Sequence, residues 1–366
     1  MDNSAGFDSL AAPARAQSVS LHSLRQALRG LLALPDGLGP AILVVALFSG
    51  IVLALAAIYG APLSVPRERV SMALGFSAAL PVGAAIVLYV LLRLVRSITR
   101  RREVPQECPT APSLPQMVAT DLTLMGLFLL ATYFHFNLKT WVQVINPQLF
   151  DGAYYAVDRE LRPIIDLFNW IRANVLTIVP STDAWYQTAF LLMFISGFCS
   201  LAITRHPVYP RFCVGVLLTI CLGALSYMVA PALGPFIFEE GLNQRATEAQ
   251  AGMLWAHERV KEEGMVWIAN AGPAYFTGAL AAMPSLHIAH AAVMTWFVFQ
   301  ARSPLMPVFV VISFWVMIES VASRWHYLID LPAGLLLAAF IVWLTDRLCR
   351  IAGEAAQSRT AAAGGI

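Results

Sequence analysis

The chain has 366 residues, 58% of them hydrophobic and 13% charged, and a formal net charge of +2. A soluble domain carries about 25% charged residues, and the apolar surplus here is gathered into runs, so the composition excludes an ordinary soluble domain and implies an integral membrane protein. The small net charge gives no reason to invoke nucleic acid. The five cysteines, Cys108, Cys199, Cys213, Cys221 and Cys349, are odd in number and lack paired spacing, which argues against a disulfide framework and a zinc site.

In chain order, residues 1–40 are rich in Ala, Ser and Arg and are expected to be disordered. The first apolar run starts late and no small-residue cleavage site precedes it, so it reads as a retained anchor rather than a cleaved signal. A spanning helix needs about 20 apolar residues. Eight segments meet or approach that length: 41–59, 72–92, 117–136, 186–203, 212–231, 286–300, 305–322 and 331–346. Between the second and third lie Arg100, Arg101 and Arg102, then Pro105, Pro109, Pro112 and Pro115. This linker divides a two-helix membrane unit (41–116) from a six-helix catalytic unit (117–346). The expected fold is therefore all-α and polytopic, and the Ala- and Gly-rich end, 347–366, is expected to be disordered.

Two longer connections carry their own pattern. Residues 160–178, with Leu161, Ile164, Ile165, Phe168 and Ile171, predict an amphipathic helix lying in the membrane interface. Residues 243–268 mix Leu254, Trp255, Val260 and Trp267 with charges and suit a cap over a site.

Short loops set the orientation. Arg93, Arg96 and the Arg triplet, then Arg205 and Arg211, Arg302, and finally Arg347 and Arg350 all fall on one side if eight segments cross, and that side is expected to be cytoplasmic. Two histidine-bearing stretches, Met283-Pro284-Ser285-Leu286-His287 and Ser323-Arg324-Trp325-His326-Tyr327-Leu328-Ile329-Asp330, then share the opposite face. The implied location is a bacterial inner membrane with the site facing the periplasm or exterior.

Ionisable groups at a membrane edge are costly unless they pair or do chemistry. A spacing of four puts His326 and Asp330 on one helix face, where a carboxylate fixes the imidazole tautomer and leaves the other nitrogen as nucleophile or base. On this pair alone, a hydrogen bond that only staples two elements together is the simpler reading. Pro284 and Ser285 start a helix whose free amides suit an anion, with His287 above it as a candidate general acid; an ordinary capped helix has the same signature. Arg324 offers a bidentate phosphate fork, and Lys139 a point charge that could instead snorkel. His290 reads as a core histidine. The turn Pro231-Ala232-Leu233-Gly234-Pro235 reads as rigid, or as a plain helix terminator.

These residues resemble the type-2 phosphatidic acid phosphatase superfamily, whose signatures run Lys-x6-Arg-Pro, Pro-Ser-Gly-His and Ser-Arg-x5-His-x3-Asp. Lys139 with Asn146-Pro147 matches the first with Asn for Arg; Pro284-Ser285-Leu286-His287 matches the second with Leu for Gly; His326 and Asp330 match the core of the third. The third arginine should lie six residues before His326, where the chain has Ser320, so Ser323-Arg324 is out of register. Leu286, Asp158 and the Pro231–Pro235 turn look most like the inositol phosphorylceramide synthase branch. The resemblance implies a phosphohistidine on His326, oriented by Asp330, with His287 as general acid and then base, and Lys139, Ser285, Arg324 and Asn146 around the phosphate. It implies no metal and no cofactor. The substrate would be a phospholipid or lipid phosphate in the bilayer, and the enzyme a phosphotransferase or, with water as acceptor, a lipid phosphate phosphatase. A non-catalytic scaffold or transporter is the remaining alternative. Donor, acceptor and oligomeric state are not fixed by these residues.

Overall fold

The computed structural model describes residues 21–66, 79–101, 113–175, 182–278 and 282–363. Among them every regular element is helical: α1 (Leu21–Leu32), α2 (Leu38–Tyr59), α3 (Ala79–Arg101), α4 (Leu114–Ile145), α5 (Asp151–Glu160), α6 (Arg162–Trp170), α7 (Thr182–Thr204), α8 (Tyr209–Ser226), α9 (Gln244–Glu263), α10 (Met265–Ala271), α11 (Leu286–Gln300), α12 (Met306–Ala322) and α13 (Asp330–Ala363). Four described helical segments, Leu38–Tyr59, Leu114–Ile145, Trp185–Thr204 and Tyr209–Ser226, are long and apolar enough to cross a membrane; Leu286–Gln300 and Met306–Ala322 are shorter apolar helices. Each of the eight expected segments overlaps a helix, although 72–78 lie outside the described residues and 227–231 of the fifth follow the end of α8 in a turn.

Local chemistry sets the helix ends. Ser113 and Gln116 form a reciprocal capping box at the start of α4, with Pro115 in its first turn. Ser285 caps α11 and accepts from the Ile288 amide. Gly60, at φ 61°, closes α2 with its amide on Ala56 O.

The core is built around α8, which packs against α2, α4, α11 and α13. Trp141, Leu217, Phe297 and Ile341 meet in one buried cluster that also takes Val45 and Phe48 of α2. The N-terminal helix α2 thus shares the core of the larger bundle. Close seating of α11 on α8 needs Gly223, where a Cβ would stand 2.2 Å from Leu286 Cδ2.

Two stretches expected to be disordered are helical where described. Residues 21–32 form α1, which packs on α13; residues 1–20 lie outside the described set. The last helix runs on through Ala363. Alanine is the strongest helix former, and Leu348, Cys349 and Ala352 of this extension are drawn onto the core or buried. The interfacial prediction over 160–178 corresponds to α6 and a following π turn at Ile171–Val175, with 176–178 outside the described residues. The predicted cap over 243–268 is α9 followed by α10.

Candidate active site

The site starts from how α12 ends. Ser323 is its C-cap, and Arg324 reverses the chain in the left-handed region at φ 58°. The amides of Trp325 and His326 both turn back onto Ser320 O at 3.1 Å. His326 is thereby pinned at the mouth of α13, whose first residue is Asp330. His326 Nδ1 lies 2.8 Å from Ala282 O and 3.1 Å from Asp330 Oδ2. Both neighbours are acceptors, so the proton belongs on Nδ1 and the lone pair on Nε2. Asp330 is held in turn by the Tyr327 amide at 2.9 Å, and its backbone oxygen accepts the Ser285 amide at 3.3 Å. That bond ties the start of α11 to the start of α13.

His287 stands in the first turn of α11, its ring centroid 6.0 Å from that of His326. Phe190 at 4.7 Å and Tyr186 at 5.1 Å wall it on the α7 side. Ser285 is buried and uses its oxygen to cap Ile288 at 3.4 Å, so its hydroxyl proton is free to donate. His290 is buried with Nδ1 2.9 Å from Leu286 O and its ring against Phe194, as suits a core histidine.

Lys139 reaches the same end of the bundle from α4, its Nζ 5.6 Å from the Tyr227 ring centroid. Asn146 caps α4; its amide donates to Met228 O at 2.9 Å and its oxygen accepts the Gln148 amide at 3.2 Å. Arg324 is buried with two carboxylates, Glu239 in direct contact and Asp158 at 3.9 Å. The structure thus brings His326, His287, Asp330 and Ser285 together, while Asn146 and Arg324, expected at the phosphate, are engaged by protein partners. The left-handed turn at Arg324 is why: it sends the side chain toward α5 and Glu239. Burial raises the Asp158 carboxyl and lowers the Arg324 guanidinium from their ordinary values, and their mutual attraction offsets this only in part.

Sequence reasoning missed Asp151. Its carboxylate accepts the Leu233 and Gly234 amides at 2.9 Å each and the Tyr327 hydroxyl at 2.6 Å. Burial, then Asp151, pushes the Tyr327 hydroxyl well above its ordinary range. Asp151 thus fastens the Pro231–Pro235 turn to the residue beside His326, and Ala232 O accepts the Ala282 amide at 2.8 Å to complete the ring. The turn needs Gly234, at φ 133° with Trp325 O 3.0 Å from where a Cβ would be. No sequence spacing links residue 151 to 327; an acidic residue at the first position of a helix reads only as dipole compensation. Among the described residues, no group of three or more His, Cys, Asp or Glu side chains is placed to hold a metal ion.

A family model described as PAP2 superfamily matches residues 156–344, just over half of the chain. The chain belongs to the PAP2 superfamily. No curated protein and no solved structure matches it. The matched region runs from within α5 into α13 and holds His287, His326 and Asp330, whereas Lys139 and Asn146 precede it. Membership in the PAP2 superfamily and the apolar helices make this a membrane enzyme of the lipid phosphatase and phosphotransferase type.

Proposed function

We propose that this PAP2 protein is a lipid phosphotransferase that works through a covalent phosphohistidine at His326, on the non-cytoplasmic face. The observation that carries this reading is the double acceptor environment of His326 Nδ1, which leaves Nε2 as a preformed nucleophile. Nε2 attacks phosphorus, forming the N–P bond as the P–O bond to the leaving alcohol breaks. His287 gives its proton to the leaving oxygen. Asp330 holds the positive imidazole that results. In the second half His287 takes the proton of an acceptor hydroxyl, whose oxygen attacks phosphorus and releases Nε2.

Lys139, the Ser285 hydroxyl and the first amides of α11 hold the phosphate oxygens as charge builds. Arg324 and Asn146 then act as positioning residues, Arg324 by fixing Asp158 and Glu239, and Asn146 by fixing the turn after α8. Asp158 donates shape as well, since its Oδ1 accepts the Leu328 amide at 2.9 Å. Leu286, Asp158 and the Pro231–Pro235 turn support a role like that of the inositol phosphorylceramide synthases, with a phosphorylated head group moving to a hydroxyl acceptor.

The test is turnover of the purified enzyme on a panel of phospholipids and lipid phosphates, with and without ceramide, diacylglycerol and inositol. New phosphorylated product in the presence of an acceptor supports transfer. Stoichiometric hydrolysis product whatever the acceptor, free phosphate from a lipid phosphate or the phosphorylated head group from a phospholipid, makes the enzyme a hydrolase instead.

A further inference from the structure

Beside the histidines lies a cleft of which the mechanism above uses only Lys139. It encloses about 490 Å³ of non-atom space, open solvent at its mouth included, and lies between the end of α4, the Pro231–Pro235 turn and the cap helices α9 and α10. Lys139 and Gln143, one helical turn apart on α4, form its floor. Met253, Ala256, His257 and Val260, spaced as one face of α9, form its roof. Trp267 and Tyr275 close a side, their rings 5.3 Å apart.

The cleft is joined to the nucleophile through short bonds. Its wall residue Ala232 accepts the Ala282 amide at 2.8 Å, and Ala282 O is the acceptor for His326 Nδ1. Its neighbour Leu233 donates to Asp151, which holds Tyr327. A group in the cleft therefore sits next to Lys139, on the side from which a second substrate could approach.

Two polar groups there are suited to a hydroxyl. Gln143 Oε1 is buried and has no hydrogen-bond partner among the described residues, a state that is rare unless a ligand or water completes it. His257 is half-buried, and burial, with Lys261 adding to it, lowers its imidazole below the ordinary value. This favours its neutral form, which offers one donor and one acceptor. An alcohol needs both kinds of partner. Anionic groups would be drawn to Lys139 alone, which the phosphate already occupies in the mechanism above.

We infer that the cleft beneath α9 binds the hydroxyl-bearing acceptor, with Gln143 and His257 as acceptor-binding residues that decide between transfer and hydrolysis. The inference rests on the transfer reading above and names where its acceptor sits. Gln143→Leu and His257→Ala each remove one hydrogen bond to the acceptor and leave water free to reach the phosphohistidine.

The experiment uses the full-length enzyme, the donor that turns over in the panel above, and glycerol, inositol or ceramide as acceptor. It reads, within each sample, the ratio of transfer product to hydrolysis product, which is free phosphate from a lipid phosphate donor and the phosphorylated head group from a phospholipid donor. Each variant is expected to lower that ratio by about three- to tenfold, the range for one lost neutral hydrogen bond, and to raise the acceptor KM. His257→Gln, which keeps a donor and an acceptor, should recover part of the ratio. Transfer in the wild type with an unchanged ratio in both variants overturns the inference alone. No transfer product from any acceptor in the wild type overturns it together with the transfer reading.

Discussion

Two buried aspartates, toward opposite ends of the bundle, show how differently this chain uses the same group. Asp121, near the start of α4, is closed on all sides: Arg93 at 2.7 Å, Arg205 at 3.2 Å, the Tyr209 hydroxyl at 2.8 Å, and the Tyr89 hydroxyl. Lys139, which marks the other end, is eighteen residues further along α4, about 27 Å at 1.5 Å per residue. There Asp330 has His326 and one backbone amide on Oδ2, and its Oδ1 has no hydrogen-bond partner among the described residues. A saturated carboxylate locks helices together. An undersaturated one keeps capacity for a charge that appears only during reaction, in the proposed mechanism the imidazolium of a phosphorylated His326. Glu319 belongs with Asp121: Arg172 at 2.7 Å, Asn243 at 2.6 Å and Ser323 at 2.8 Å fill it and bind the cap to α12.

The comparison breaks most easily at the nucleophile. His326→Ala should lower turnover by at least about a thousandfold, because loss of a nucleophile removes the covalent route, while membrane insertion and the yield of folded protein hold; assays on purified enzyme check both. Asp330→Asn keeps the shape but not the charge, and should cost about a hundredfold in kcat with a smaller change in KM, read from steady-state kinetics. At the far end the signs exchange. Asp121→Ala leaves the buried Arg93 and the half-buried Arg205 without this carboxylate and should cost about 3–5 kcal/mol of stability, seen as early thermal or denaturant unfolding, while turnover per folded molecule stays within about twofold. A large kcat loss there without a stability loss would erase the distinction between the two aspartates. Single cysteines in a cysteine-free background place the two ends: one at Met283 should react with an impermeant maleimide from outside the cell, and one at Arg302 only after permeabilisation. The reverse pattern turns the orientation over.

Much of this was legible because the signals are local. The span predicted over 286–300 coincides with α11, and the 305–322 span with α12 to one residue. His326 and Asp330 do meet, but not on one helix face as their spacing suggested: His326 lies in the turn before α13, and the contact is made across the mouth of that helix. The sequence misjudged elements whose partners are remote. Hydropathy stops the third span near 136, yet α4 continues to Ile145 because its polar residues find partners: Asn137 accepts the Ser64 amide at 2.7 Å and Thr140 bonds back to Phe136 O at 2.7 Å. Arg324 looked available for phosphate because the two carboxylates that engage it lie 85 and 166 residues away. Asp151 and Tyr327, separated by 176 residues, could be joined only by the folded chain.

The central claim is that phosphorus from the donor passes through His326 Nε2. Its most direct test is to quench the enzyme during steady turnover under alkaline conditions, which preserve phosphohistidine, and to map the modified residue by peptide mass spectrometry. The expected result is a donor-derived phosphoryl group on His326, still bearing the head group when the donor is a phospholipid, discharged when acceptor or water is supplied in excess. Rapid turnover with His326 unmodified throughout, and no loss of rate in His326→Ala, would contradict it.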